Sequence, residues 1–472
     1  MSWEPVIGLE VHIHLKTRTK MFCRCEVAYA LEANTRTCPV CLGHPGTLPV
    51  PNARAVEWTI KLGHALGCDI AERAVFHRKN YFYPDLPKGY QISQYDEPLC
   101  REGRMLVPGP DGDAEVGIVR AHLEEDAAKN VHVGGAQGRI HGAGRTLVDF
   151  NRGGTPLVEI VTQPDLRSAD DARRFLQLLR QTVVELGISD GEMEKGSLRF
   201  DVNVSIRPSG SDELRTRTEL KNMNSFAFAA RGIEREVARQ IAIYEAGGTV
   251  EQETLHFDPD HESAPPLRTK EEAQDYRYLP EPDLVPLEPP RELVARLREE
   301  VPEPPGARIR RFESQYGLPF YDAEVLNGTV ALSRLFEGVL AAGADAKAAS
   351  NVLMNEFTRT GVDPASVDAA QLGTLVEARA RIPRDRFVEA LAASGEPGFE
   401  AERYLGDGLV ADAAELEPLV ERILAANAQE VAAYRAGKQG LLGFFVGQVM
   451  REAQGKADAR VVNQLVRDKL GS

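Results

Sequence analysis

Residues 5–15 read PVIGLEVHIHL, and this alternation constrains the fold more than any other stretch of the chain. Ile7, Leu9, Val11, Ile13 and Leu15 fall on one face of an extended strand, and Gly8, Glu10, His12 and His14 fall on the other. The apolar face needs a core. The polar face carries a carboxylate and two imidazoles about 7 Å apart, taking ~3.3 Å of rise per residue. That spacing suits ligands sharing one metal ion, and it equally suits the solvated side of an ordinary amphipathic strand.

Four later segments repeat the pattern. In IVRAHLEED, Val119, Ala121 and Leu123 alternate with Arg120, His122, Glu124 and Asp126; in LVEIVT, Glu159 stands among apolar neighbours. In SLRFDVNVSIR, Leu198, Phe200, Val202, Val204 and Ile206 alternate with Arg199, Asp201, Asn203, Ser205 and Arg207; in LRTRTELKN, Arg215, Arg217, Glu219 and Lys221 share a face. With the opening strand, these predict an antiparallel sheet buried on one side. Asn52 starts a helix bearing Trp58, Leu62 and Leu66, stopped by Gly67. A second opens at Ser168, with Asp171 closing a capping box, and a third opens at Asn224 or Ser225 with Ile233, Val237 and Ile241 as its stripe. Their apolar sides can cover the back of the sheet, so the fold class is α+β.

Prolines crowd residues 258–306, and beyond them Ala, Leu and Glu recur at helical spacing with almost no strand signal. A chain of 472 residues suggests about three domains. We place them at 1–292, 293–406 and 407–472: an α+β domain followed by two all-α ones. No apolar run approaches the ~20 residues of a membrane span, and the N-terminus enters a strand without a basic region and apolar block, which predicts a cytoplasmic protein.

Six cysteines are too few for a disulfide framework, but four of them cluster as Cys23-x-Cys25 and Cys38-x-x-Cys41. A dozen residues between the pairs is enough to bring both to one tetrahedral ion, which predicts a closed, structural zinc site. Cys68 and Cys100 read as buried thiols. The formal net charge of -15 argues against a polyanionic partner, yet Val431–Ser472 holds seven Lys/Arg against three acids. In that tail Gly443 and Gly447 permit close helix approach, with Phe444, Phe445, Val446 and Val449 as core.

If the strands pair as their alternation suggests, Glu10, His12, Glu124 or Glu125, Glu159, Asp201 and Glu219 share a surface with Arg199, Arg215, Arg217 and Lys221 around it. Such carboxylates need cations to stay ionised. Oxygen ligands suit Mg²⁺, and Mg²⁺ among Arg and Lys suits nucleotide phosphates; a solvated, salt-bridged face is the alternative. Neither a Walker-type phosphate loop nor a dinucleotide fingerprint is present, so an ATP site here is of another kind.

Longer motifs carry a resemblance. VIGLEVHIHLKT, CPVCLGHPGTLPVPN, RKNYFYPDLPKGYQISQYDEPL, HLEEDAAK, LVDFNRGGTPLVEIVTQPDLRS, GSLRFDVNVSIRP, ELKNMNSF, DYRYLPEPDL and GFFVGQVM, in this order, resemble the B subunits of the bacterial aspartyl/glutamyl-tRNA amidotransferases nearly end to end. The resemblance implies a cradle domain built on an antiparallel sheet, a helical domain and a tail domain that contacts tRNA. It implies a chain that binds misacylated Glu-tRNA(Gln) or Asp-tRNA(Asn) and uses Mg-ATP to phosphorylate the side-chain carboxylate. Ammonia from a partner glutaminase (amidase) subunit then displaces phosphate, and a small third subunit wraps the two. The cognate non-discriminating synthetase joins the candidate partners; a membrane does not.

Carried across by motif, the resemblance implies Glu10, His12, Glu124, Glu125 and Glu159 around Mg²⁺, with Asp201 and Asn203 as outer members. Charge and motif position make Lys79, Lys88, Arg199 and Lys221 candidates for holding phosphate or the acidic side chain. His14 is left out, because the motif fixes the first histidine better than the second. The chain departs from the pattern at Thr254, followed by Leu255 and His256 where the family usually has an arginine. Many members lack the four cysteines, which favours a structural zinc over a catalytic one.

Two other readings compete. His12-x-His14 resembles the first-strand ligands of barrel amidohydrolases, but that fold needs eight alternating strands and helices. The second reading is a non-catalytic RNA-binding scaffold whose working part is the basic tail.

Overall fold

The computed structural model describes residues 2–28, 31–134, 142–221, 223, 225–256, 266–269, 276–405, 413–453 and 457–471. Their contacts group the chain into two compact units, Met1–Arg310 and Arg311–Ser472.

The opening strand β1 (Trp3–His14) lies mid-way in a nine-stranded sheet. On one side it pairs with β9 (Pro156–Thr162), followed by β6 (Gly112–Glu125), β5 (Cys100–Gly109) and β2 (Asp69–Ile70). On the other it pairs with β10 (Leu198–Pro208), followed by β11 (Thr218–Lys221), β12 (Glu253–His256) and β13 (Pro266–Thr269). The five strands expected from alternation are therefore five neighbours, β11-β10-β1-β9-β6. A three-stranded sheet joins β3 (His77–Asn80) to β4 (Tyr90–Ser93) and β14 (Leu279–Pro280), and β7 (Lys129–Val133) pairs with β8 (Arg145–Asp149).

The pairs in the large sheet are antiparallel except β11–β12, which corrects the all-antiparallel expectation. The helix α3 (Phe226–Glu245) connects those two strands, and a crossover of that length is what lets consecutive strands run the same way.

Ile7, Leu9, Val11, Ile13 and Leu15 are withdrawn from water almost completely, each contributing about 1.5–3 kcal/mol of transfer free energy before the entropy of ordering is counted. With α1 (Ala53–Ala65) and α2 (Ala169–Glu185), α3 supplies the helical layer, and all three begin where capping chemistry places them. Asn52 accepts from the amides of Arg54 and Ala55, Ser168 from Asp171, and Ser225 from Phe228. Asn224, the alternative cap, lies outside the described residues, as do the prolines at 259 and 265. Left-handed backbone at Gly67, Gly187 and Gly247 ends these helices.

Two packing expectations change. In α3 the buried positions are Ala229, Gly232, Ile233, Glu236 and Gln240, whereas Val237 and Ile241 are only half-buried. Glu236 Oε1 accepts from Thr218 Oγ1 at 2.7 Å and from Gln240 Nε2 at 2.8 Å, and Arg239 closes the network, so polar groups here satisfy one another inside the layer. In β6 the register shifts between Ile118 and Arg120. Ile118, Ala121 and Leu123 face the core while Val119 is the extra residue of a bulge, which breaks the simple alternation read from the sequence.

Every described regular element of the second unit is helical. Helices Val330–Ala341, Ala346–Asn355, Ala369–Ala378 and Arg384–Ala393 bury Phe336, Leu353, Leu375 and Phe387. From Ala413 onward, helices close on a cluster of Leu416, Val420, Ile423, Phe445, Val449, Val462, Val466 and Leu470. Phe445 and Val449 belong to that core, but Phe444 is 37% exposed. A Cβ on Gly443 or Gly447 would meet no described atom within 4 Å, so these glycines are not close-approach points. Among the described residues no helix is long and apolar enough to cross a membrane.

Candidate active site

Sheet register assembles the polar face. One row across β6, β9, β1 and β10 reads His122, Glu159, His12, Arg199. The next reads Glu124, Leu157, His14, and on the opposite side come Arg120, Val161, Glu10 and Asp201. A fourth row holds Gly8, Asn203, Glu219 and Thr254. Partners in antiparallel register project to the same side, so imidazoles and carboxylates chosen for their alternation on separate strands become neighbours.

These rows floor a cleft of about 1180 Å³ whose lining includes Lys79 from β3 and Ser93 from β4. His12 Nε2 lies 3.4 Å from Glu159, 3.8 Å from Glu10 and 3.9 Å from Glu124. His122 Nε2 lies 3.8 Å from both Glu124 and Glu159. Ser93 Oγ donates to Glu124 at 3.1 Å, and Arg120 approaches Glu159 at 3.6 Å.

The charges are mutually dependent. Burial works against the His12 cation, but the hydrogen bond to Glu159 and the charges of Glu159, Glu124 and Glu10 outweigh it and push its pKa up to about 9. Glu159 would be raised by burial, yet His122, His12 and Lys79 hold it well below the usual carboxylate range. Glu10 moves the other way, raised by burial and by Glu159. Lys79 resists burial because Glu124, Tyr278 and Glu159 keep it charged.

Two donor sets fit a divalent cation. The ligand atoms of Glu10, His12 and Glu159 lie within 4.8 Å of one another, as do those of His122, Glu124 and Glu159. Both combine carboxylate oxygens with an imidazole nitrogen, and they share Glu159.

Glu10, His12, Lys79, Glu124, Glu159, Arg199, Asp201, Asn203 and Lys221 all line this one cleft. Asp201 and Lys221 are ion-paired, and Glu219 accepts from Thr254 Oγ1 at 2.8 Å. Glu125 and Lys88 do not join them, which corrects the grouping of Glu125 with Glu124. Alternation along β6 turns Glu125 to the side of Leu123, where it pairs with Lys88 and accepts from the amide of Ile92. That pair lines a separate cavity of about 200 Å³ beside the cysteine loop. Arg215 precedes β11 and lies over the rings of Trp3 and Tyr244, at 5.1 and 4.8 Å.

His14 is buried and sits 2.6 Å from Asp126, which also meets Arg199 at 3.1 Å and Arg152 at 3.4 Å. Sequence pattern alone does not anticipate this network, nor the place of His122 in the carboxylate row. A signal for His122 exists, since alternation puts it two residues from Glu124 on the same face. Alternation puts Asp126 on the polar face with Glu124, as found, but Arg152 lies between β8 and β9, where alternation assigns no direction.

The four cysteines meet as the spacing suggests, with all sulfurs within 4.8 Å of one another. Tetrahedral Zn–S bonds of about 2.3 Å place sulfurs about 3.8 Å apart, so the cluster fits zinc. Lys20, fully buried, has its Nζ 3.7 Å from Cys41 and donates to the Phe150 carbonyl at 3.0 Å. The amide of Cys38 donates to Cys41 Sγ at 3.2 Å. The hydrogen bond from Cys23 and these donors push Cys41 down to about 4, while burial and its neighbours push Cys25 up to about 11. Cys68 and Cys100 are buried apart from this cluster.

A cleft whose donor sets fit a cation, on a mostly antiparallel sheet joined in one chain to an all-helical unit, defines the class: a two-unit α+β protein with an acidic, imidazole-bearing candidate site. Residues 5–295 match the family described as the GatB/GatE catalytic domain, and residues 334–470 match the GatB domain. Among its relatives, the chain is 48% identical to the B subunit of the aspartyl/glutamyl-tRNA(Asn/Gln) amidotransferase of Geobacter sulfurreducens, covering 100% of both chains. It is 46% identical to the proteins of the same name from Myxococcus xanthus and Chlorobium luteolum, covering 100% of this chain and 99% and 100% of theirs. The chain belongs to the GatB family.

Proposed function

We propose that this chain is the B subunit of a tRNA-dependent amidotransferase and that the polar cleft is where it activates the side-chain carboxylate of Glu-tRNA(Gln) or Asp-tRNA(Asn). The observation that carries the reading is the convergence of Glu10, Glu124, Glu159, His12, His122 and Lys79 on one cleft large enough for a nucleotide and an aminoacyl end. A carboxylate is a poor electrophile. Its oxygen attacks the γ-phosphorus of ATP, the bond to ADP breaks, and the resulting acyl phosphate carries a leaving group. Ammonia from the partner glutaminase then adds to the acyl carbon, phosphate departs, and the amide forms after loss of a proton.

Glu10, His12 and Glu159 would hold Mg²⁺, which would supply positive charge to offset the phosphoryl and carboxylate oxygens. Lys79, Arg199 and Lys221 face the same cleft and hold anionic oxygens, while Asp201 and Asn203 orient Lys221 and the outer wall. Arg120, 3.6 Å from Glu159, adds a further positive charge beside that carboxylate. Cys23, Cys25, Cys38 and Cys41 would hold zinc, which would fix the loop and take no part in the reaction.

The remaining assignments follow from this reading: a cradle domain over 1–292, a helical domain over 293–406, and a basic tail over 407–472 that contacts tRNA. A small third subunit completes the complex, the non-discriminating synthetase delivers its substrate, and the setting is the cytoplasm.

The test is ADP formation that depends on the misacylated tRNA in the assembled complex. Glu10→Ala and Glu159→Ala should abolish it while tRNA still binds. Retained activity in both, with loss on removing the tail, would leave a tRNA-binding scaffold as the correct reading.

A further inference from the structure

One wall of the cleft differs in chemistry from the rest. Tyr81, Tyr95, Tyr276 and Tyr278 line it together, opposite a floor of charged groups. Tyr95 and Tyr278 stack face to face, with centroids 4.3 Å apart and planes 8° from parallel. Tyr276 meets Tyr278 edge-on at 6.1 Å and Tyr81 at 5.9 Å, so the four rings form a continuous band. Tyr95 nevertheless remains 43% exposed.

The band adjoins the reacting groups. Lys79 Nζ lies 4.7 Å from the centre of the Tyr276 ring, and Glu124 and Glu159 lie within electrostatic reach of Tyr278. A small carboxylate side chain gains nothing from four aromatic rings, since cations suffice to hold it. A flat, polarisable ring does gain: stacking on an aromatic face is the sequence-tolerant way proteins hold a nucleobase. Cations at the floor and rings on the wall match a ligand that is anionic at one end and aromatic at the other.

The geometry points to Tyr81, Tyr95, Tyr276 and Tyr278 as a stacking wall for the adenine ring of an adenosine moiety whose phosphate or acyl end reaches Lys79 and the carboxylate row. This rests on the cleft being the site of carboxylate activation. Two ligands of that reaction contain adenosine: ATP, and the 3′ terminus of the aminoacylated tRNA.

Steady-state kinetics of ADP formation in the assembled complex separate them. Tyr95→Ala and Tyr278→Ala should each raise one KM by about tenfold or more, whereas Tyr95→Phe and Tyr278→Phe, which keep the ring face, should stay within about twofold. A rise confined to the KM for ATP assigns the wall to the nucleotide's base; a rise confined to aminoacyl-tRNA assigns it to the terminal adenosine. The inference is overturned if both KM values stay within about twofold in the alanine variants, or if the phenylalanine variants lose as much as the alanine ones. Glu10→Ala and Glu159→Ala serve as the control. If they are inactive while the tyrosine variants behave as wild type, the stacking wall fails and the activation site stands; if they stay active, the activation site fails.

Discussion

His12 and Glu159 face each other across the β1–β9 ladder, with Nε2 3.4 Å from Oε2. Glu159 also stands opposite His122 on the other neighbouring strand, so one carboxylate is flanked by two imidazoles and serves both candidate cation sets. Loss of that one carboxylate would therefore break both donor sets at once.

Glu159→Gln keeps the shape of the side chain and removes the charge that both histidines and Lys79 answer to. We expect tRNA-dependent ADP formation to fall by a factor on the order of a hundred or more, with tRNA affinity unchanged. Activity and filter-binding measurements on the same preparation check both halves.

His12 provides a pH test on protein stripped of divalent ions. Its folded-state pKa is raised to about 9, above the ordinary value of 6.5. The stabilisation is therefore full below pH 6.5 and is lost as pH rises through about 9. Unfolding free energies of wild type and His12→Gln, from denaturant titrations, should converge over this window, from a difference of at most about 3 kcal/mol. A constant difference would count against the protonated imidazole. Added Mg²⁺ should lower the His12 titration midpoint in proton NMR, because cation and proton compete for the nitrogen.

Asp126 has the opposite sign. Burial alone would raise its pKa, but His14, Arg199 and Arg152 hold it well below the usual carboxylate range. Its contribution is present above the ordinary aspartate value and fades as pH falls below about 4. Asp126→Asn leaves buried His14 without its carboxylate and should cost about 2–4 kcal/mol at pH 7, with the difference from wild type shrinking in acid. Chemical denaturation at pH 7 and pH 3 tests it.

Zinc content is the check on the cysteine loop. Wild-type protein should bring one zinc per chain through gel filtration, and Cys38→Ser or Cys41→Ser should lose it. Lys20→Met should retain the metal but release it faster to a chelator, because the buried ammonium next to Cys41 offsets thiolate charge. Metal analysis and chelator kinetics report on this without any assay of activity.

Much of the N-terminal unit is legible in the sequence because its central strands are buried on one side only. Glu10, His12, Glu159 and Asp201 can be placed on a common surface from a period of two, which the ladder preserves from strand to strand. The shortest strands are not legible: β2 and β14 have two residues each, too few to show a period. The tyrosine wall escapes for a different reason. Tyr81 and Tyr278 are nearly two hundred positions apart in the sequence, and their residue types say nothing about meeting. Glu125 is misplaced by sequence reasoning because an acidic pair at adjacent positions looks like one ligand group, although adjacent residues in a strand must point apart.

The bulge at Val119 gives the β6 strand a property akin to a reading frame. The residues before it and after it are locked to the sheet in opposite phase. Deleting Val119 would leave Ile118 and Arg120 adjacent and on opposite faces, as in an unbroken strand, so both halves would keep their phase. Flattening the bulge with Val119 kept would instead turn one half over: if it were the half after the bulge, Glu125 would enter the cleft in place of Glu124, and Glu124 would confront Lys88 beside the cysteine loop. One unpaired position upstream thus decides which of two neighbouring acids each cavity receives.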